Sequence, residues 1–177
     1  MHVLFVCTGN ICRSPIAERL ALKYGSASKI QNFSTASAGT RAVVGAPVYA
    51  TAATVLRDLG GDPSQFAARQ ITAKMASAAD LIVTMTRSHR DKVLEVAPGQ
   101  LRRTYTLSEL AELSAEFAAE DLAHLSDLRP RLAGRPLPDV RDPIGLGPDV
   151  FAAVGAQIAG LLPPIVDFLR RAATATG

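Results

Sequence analysis

Tryptophan is absent from this chain, aromatic residues make up only 5% of it, and cysteine occurs just twice in 177 residues. Two cysteines cannot build the disulfide framework of a small secreted domain. They predict free thiols in a reducing, cytoplasmic setting. The apolar start, Val3–Val6, is too short for a signal peptide and runs at once into polar loop residues. No stretch approaches the ~18–20 apolar residues that span a bilayer, so no membrane association is expected. No basic block is interleaved with aromatics, and a formal charge of +3 is too small to argue for nucleic acid. That charge suits an anionic substrate. There is no internal repeat, and 48% hydrophobic residues in a chain of this length predict one folded domain over 1–177.

What the chain does contain is an alternation of strand and helix signals. Val3–Cys7 is a continuous apolar run, as in a parallel strand buried on both faces. Ser14 can cap the next helix with Pro15 at its first position. Ile16, Leu20 and Tyr24, flanked by Ala17 and Ala21, form that helix's inward stripe, and Gly25 is placed to end it. Phe33–Ala38 reads as a second strand and Val48–Leu59 as a second helix, closed by Gly60 and Gly61. Thr72 can cap a short helix, Ala73–Ala78. Asp80–Thr86 reads as a third strand, Ser88–Ala97 as a helix and Arg103–Leu107 as a weaker fourth strand. The alternation predicts an α/β fold: a single domain with an open, parallel, four-stranded, Rossmann-like sheet and helices on both faces. Glu109–Arg141 is rich first in Ala, Glu and Leu and then in Pro. It reads as a helical insertion, either a surface embellishment or a lid or partner-binding element. A last helix is expected over Pro148–Ala173, kinked or interrupted at Pro163 and Pro164.

Both cysteines fall in one short loop, CTGNICRSP, between the first strand and the first helix. A helix N-terminus offers free N–H groups and a partial positive charge to an anion. Gly9 permits a tight turn and Asn10 tolerates left-handed backbone. A loop wound around one oxyanion would use the N–H groups of Thr8, Gly9, Asn10, Ile11, Cys12 and Arg13. The Arg13 guanidinium adds a two-pronged donor that matches a phosphoryl group. Helix N-termini and nearby cations lower a cysteine thiol from about 8.5 to roughly 3.5–7.5. Cys7 is therefore the candidate nucleophile, with Ser14 placed to donate to its sulfur. The loop lacks the Gly-Lys-Ser/Thr ending of a nucleotide-binding P-loop. A general acid is needed as well, and Asp139, Asp142 and Asp149 lie close together late in the chain.

CTGNICRSPIAE resembles the signature loop of the low-molecular-weight protein tyrosine phosphatase family, at the expected distance from the start. SAGT at Ser37–Thr40, ARQIT at Ala68–Thr72 and DLIVTMT agree with it, and Asp142-Pro143 stands where the family keeps its general acid. The resemblance covers roughly 1–107 and 142–171. It implies a phosphomonoester hydrolase acting on protein phosphotyrosine through a phospho-cysteine. Cys7 is then the nucleophile and Arg13 the phosphoryl ligand. Asn10 holds the loop, Ser14 serves the thiolate, and Asp142 is acid and then base. Neither cofactor nor metal is implied, because the loop and Arg13 supply the positive charge. Oligomeric state stays open.

The chain also departs from the family pattern. Asp142-Pro143 is followed by Ile144, Gly145 and Leu146 instead of aromatics, and the opposite wall, Arg41–Tyr49, has only Tyr49 as an aromatic. Without aromatic pairing, worth ~0.5–1.5 kcal/mol, phosphotyrosine should bind more weakly than in aromatic-walled relatives. Phe66 stands where many relatives carry histidine, which predicts a thinner polar network behind the loop. Thr86 replaces an Asp that often follows the third-strand Met. His2, His89 and His124 are expected to be structural or exposed. Cys12 has two readings: a small buried side chain, or a partner that traps an oxidised Cys7 as a disulfide.

Three alternatives to a tyrosine phosphatase stand beside it. Phosphoarginine-specific relatives place Thr where this chain has Ile11, which favours tyrosine. Thioredoxin-coupled arsenate reductases share the loop but relay through further cysteines, which SHRDKVLEVAPG lacks. A non-catalytic phosphoprotein-binding module needs neither nucleophile nor acid, yet candidates for both are present.

Overall fold

The computed structural model describes residues 1–117, 119 and 121–175. Strands β1 (His2–Cys7), β2 (Ser34–Gly39), β3 (Leu81–Thr84) and β4 (Thr104–Thr106) form one sheet in the order β2-β1-β3-β4, with every pairing parallel. Successive β1 side chains serve opposite faces. Val3, Phe5 and Cys7 enter the larger core, with helices α1 (Arg13–Ala27), α2 (Ala50–Asp58), α5 (Leu107–Glu116) and α7 (Pro148–Ala175). Leu4 and Val6 enter the smaller core, beside α3 (Ala73–Ala78) and α4 (Arg87–Val96). A strand covered on both faces must be apolar at every position, which is why β1 reads as an unbroken run.

Chain order places the loop after β1. From β1 the chain crosses to β2 on one side, and from β3 to β4 on the other. The carboxyl ends of β1 and β3 thus flank a topological switch point, where parallel sheets open a crevice.

Several local expectations hold. Thr72 caps α3 by accepting from Met75 N–H at 3.2 Å. Ile16, Ala17, Leu20 and Ala21 are the buried stripe of α1. Others give way to tertiary contacts. Helix α1 begins at Arg13 with no side-chain cap, and Ser14 turns its hydroxyl inward instead. Gly25 lies inside α1. A Cβ there would come within 2.3 Å of the Phe33 ring, so the glycine serves close packing and does not end the helix.

Helix α7 runs through Pro163 and Pro164 without the expected interruption. Leu162, Ile165, Val166, Phe168 and Leu169 are all buried around the prolines. Burying such side chains, at roughly 1.5–3 kcal/mol each, outweighs ~3 kcal/mol for each interior proline. Also against the sequence reading, Pro148–Thr174 is long and apolar enough, at a mean hydropathy of 1.6, to cross a membrane by length and composition alone. Its buried stripe packs on α1, α2 and α5.

The 109–141 segment is only partly a surface embellishment. Helix α5 opens with a reciprocal cap between Thr106 and Glu109 and buries Leu107, Leu110 and Leu113 in the larger core. Helix α6 (Leu122–Leu128), capped by Asp121, buries Leu125 and Leu128. The chain then returns to the carboxyl edge of the sheet, where Val140 N–H donates to Met85 O at 2.8 Å.

Candidate active site

The loop between β1 and α1 is held by its side chains and carbonyls. Asn10 is wholly buried, with a left-handed φ of 54°. Its Nδ2 donates to Ser14 Oγ (2.9 Å) and Ser37 Oγ (2.8 Å), and its Oδ1 accepts from Arg69 N–H (2.8 Å). Three bonds to one side chain fix a conformation that is otherwise unfavourable for a residue with a Cβ. The carbonyls of Cys7, Thr8, Gly9 and Ile11 accept from the N–H groups of Thr40, Arg41, Val43 and Tyr49, at 2.7–3.0 Å. With the carbonyls drawn outward, the amides are left over. Among the described residues, no protein acceptor meets the N–H groups from Thr8 to Arg13.

The Cys7 sulfur is buried and lies 3.0 Å from Ser14 Oγ. That hydroxyl accepts from Asn10, so its own proton is available to the sulfur. Arg13 is also buried. Its guanidinium donates to Val140 O at 3.1 Å and to Asp142 Oδ2 at 2.7 Å. Its Nε has no partner among the described residues. Free amides on a cleft that a buried guanidinium also lines suit an oxyanion.

Cys7, Thr8, Gly9, Ile11, Cys12, Arg13 and Asp142 all line one cleft of about 340 Å³, completed by Arg41, Val43 and Ile144. Asn10 and Ser14 lie behind it and act through the loop. The three late carboxylates are thereby separated. Asp142 lines the cleft against Arg13. Asp139 accepts from Arg87 N–H at 3.0 Å and pairs with its guanidinium, and Asp149 sits in the first turn of α7. The walls are aliphatic: Ile11, Val43 and Ile144. The Tyr49 ring, expected on the wall, stacks on Phe151 with centroids 5.5 Å apart.

Behind the loop, Glu18, Ser37 and Arg69 form a polar network that Phe66 does not join. Glu18 accepts from Ser37 Oγ, Arg69 donates to Ser37 O at 3.2 Å, and Phe66 lies under the Arg19 guanidinium. Burial pushes the Glu18 carboxyl above its ordinary value, partly offset by Ser37. Burial, reinforced by Cys7, pushes the Cys12 thiol up to about 12, so Cys12 rests as a neutral thiol.

One residue at the site escapes sequence reading. His89, in the first turn of α4, is buried, with Nε2 2.8 Å from Thr8 Oγ1 and Nδ1 2.9 Å from Thr86 Oγ1. Burial, with the Arg13 charge added, pulls it down to about 4. Its signal in the sequence is only local: Thr86 is the cap of α4 and accepts from His89 N–H.

Comparison with known proteins agrees with this geometry. Residues 2–127 match the family described as low molecular weight phosphotyrosine protein phosphatase. The low molecular weight protein-tyrosine-phosphatase Etp of Escherichia coli (strain K12) is 40% identical over 110 residues, covering 62% of this chain and 71% of Etp. The crystal structure of a low molecular weight protein tyrosine phosphatase from T. tengcongensis superposes with a TM-score of 0.76 at 28% identity, covering 94% of this chain and 98% of that one. A YwlE arginine phosphatase shares the fold with a TM-score of 0.78 at 23% identity, over 97% of each chain. The chain belongs to the low-molecular-weight phosphotyrosine protein phosphatase family.

Proposed function

We propose that this chain hydrolyses phosphomonoesters of protein tyrosine through a phospho-cysteine, working as one phosphatase domain over 1–177. The observation that carries the reading is the set of N–H groups from Thr8 to Arg13 that meet no acceptor among the described residues, on a loop that lines one cleft with Cys7 and Arg13. A phosphoryl group entering the cleft meets these donors and competes with Asp142 for the guanidinium. Asp142 is then released toward the leaving oxygen.

In the first step the Cys7 thiolate attacks phosphorus, the bond to the tyrosine oxygen breaks, and Asp142 gives that oxygen its proton. In the second, Asp142 takes a proton from water, and the water oxygen attacks phosphorus. The S–P bond breaks and inorganic phosphate leaves. Ser14, 3.0 Å from the sulfur, stabilises the departing thiolate. The amide crown and Arg13 stabilise charge on the transferring group in both steps, with no metal in the scheme.

Aliphatic walls hold a phenyl ring by apolar contact alone, so aryl esters are preferred at modest affinity. Ile11 gives no hydroxyl to a guanidino group, which sets phosphoarginine behind phosphotyrosine. Phosphotyrosine proteins in the cytoplasm are the partners this reading implies. The test is hydrolysis of phosphotyrosine, phosphoserine and phosphoarginine peptides, with and without chelator. The expected result is phosphotyrosine preference unaffected by chelator. Preference for phosphoarginine, or loss of activity with chelator, would overturn the reading.

A further inference from the structure

The Cys7–Arg13 loop is braced from behind by Asn10 and Ser14, whose side-chain bonds go to Ser37, to Arg69 and to the Cys7 sulfur and leave the Thr8 side chain untouched. Its first residue, Thr8, has a separate partner in His89, on another element and 81 positions away. The ring is fixed at both nitrogens. Thr86 Oγ1 accepts from His89 N–H at 3.1 Å, so its own proton is free to go to Nδ1. That assignment leaves the other ring nitrogen, Nε2, carrying the proton toward Thr8 Oγ1 at 2.8 Å. Thr86 is itself held, since Thr84 Oγ1 donates to its carbonyl at 3.0 Å. A relay of hydrogen bonds thus runs from the end of β3, through the α4 cap, to the residue after Cys7.

We propose that His89 is a positioning residue, whose Nε2–H grips the Thr8 hydroxyl and holds the first N–H of the phosphate crown on target. The inference rests on the phosphatase reading of the loop. In the neutral imidazole one ring nitrogen accepts from Thr86 and the other donates to Thr8, which uses both hydroxyls fully. Burial and the Arg13 charge keep His89 neutral, against the opposing pull of Asp142 and Asp139. Without the grip, the Thr8 side chain can rotate and its amide is held only through the Cys7 and Thr8 carbonyls, while a crown works only when its donors are aimed together.

The test measures inorganic phosphate binding by calorimetry and aryl phosphate turnover, on the full chain. His89→Leu should weaken phosphate binding about tenfold and lower kcat by a similar factor, as for one lost oriented hydrogen bond. His89→Gln, whose amide nitrogen reaches the place of Nε2, should restore both to within about twofold. Thr8→Val should reproduce the His89→Leu loss, and the double variant should be no worse than either single. Unchanged phosphate binding in folded His89→Leu would overturn the proposal. So would full additivity in the double variant, or failure of His89→Gln to rescue when its melting temperature matches the wild type. If the wild type itself binds no phosphate, the phosphatase reading falls and this inference with it. Wild-type binding with an indifferent His89→Leu sinks the inference alone.

Discussion

The two halves of the cleft are built differently. Cys7, Asn10, Cys12, Arg13 and Ser14 are buried, Thr8, Gly9 and Ile11 half-buried, and the loop's carbonyls and side chains are tied to β2, to the segment around Arg69 and to the residues before α2. The stretch carrying Asp142 is tied at Val140 and through Arg13, but the Asp142 side chain is 49% exposed, against 5% for its partner Arg13. Gly145 beyond it has a φ of +81° with nothing packed where a Cβ would lie. The contrast fits the two tasks proposed for these halves. Holding a phosphoryl group needs donors that do not move, while acid and then base chemistry needs a carboxyl that can turn from one oxygen to another.

Variants can break or sharpen this contrast, and the largest effect should come from the rigid half. Cys7→Ser should lower turnover by about 10⁴-fold or more while phosphate binding persists, because the crown survives without the nucleophile. Asp142→Ala should cost about 10²–10³-fold on phenyl phosphate and far less on para-nitrophenyl phosphate, whose leaving group needs no proton. Its melting temperature should move little, by about 0–1 kcal/mol of stability, since Asp142 is half exposed and Arg13 keeps its bond to Val140 O. Equal losses on both esters would remove Asp142 from the acid role. Asn10→Ala should act the other way. It deletes three hydrogen bonds and leaves a strained left-handed residue, so about 3 kcal/mol of stability should go along with about 10²-fold in turnover. Retained stability in that variant would mean the loop is not braced as described.

The smallest effect is a pH dependence. His89 sits at about 4 in the folded chain, against an ordinary value of 6.5. Between those values the unfolded chain binds a proton that the folded one refuses, so stability falls as the pH drops from 6.5 to 4. His89→Gln removes that contribution. The stability gap between wild type and variant should change by about 1–3 kcal/mol across the window in denaturant titrations. Parallel curves would contradict the buried, neutral ring.

How legible all this is in the sequence follows the range of the forces. Val3–Cys7, the Thr72 cap and the Ile16–Leu20 stripe are specified within a few residues, and the structure reproduces them. The loop is legible for the same reason, since Gly9, Asn10, Arg13 and the helix start are contiguous. Ser14 is misread as a cap because its partner, the Cys7 sulfur, comes from the preceding strand. Gly25 is misread as a stop because the Phe33 ring above it belongs to the next segment. Pro163 and Pro164 carry a strong local signal, which is overruled by the apolar stripe that anchors α7. His89 is legible only as a residue near a helix start, because its Thr8 partner is brought to it by the β1–β3 pairing.

The central claim is that phosphorus passes through the Cys7 sulfur. Asp142→Ala, mixed with para-nitrophenyl phosphate and quenched in acid, should hold the intermediate, because release needs the missing base. Mass analysis should then find one phosphoryl group on the peptide containing Cys7, absent from the Cys7→Ala protein. Continued turnover with no phosphoryl group ever found on Cys7 would contradict the account.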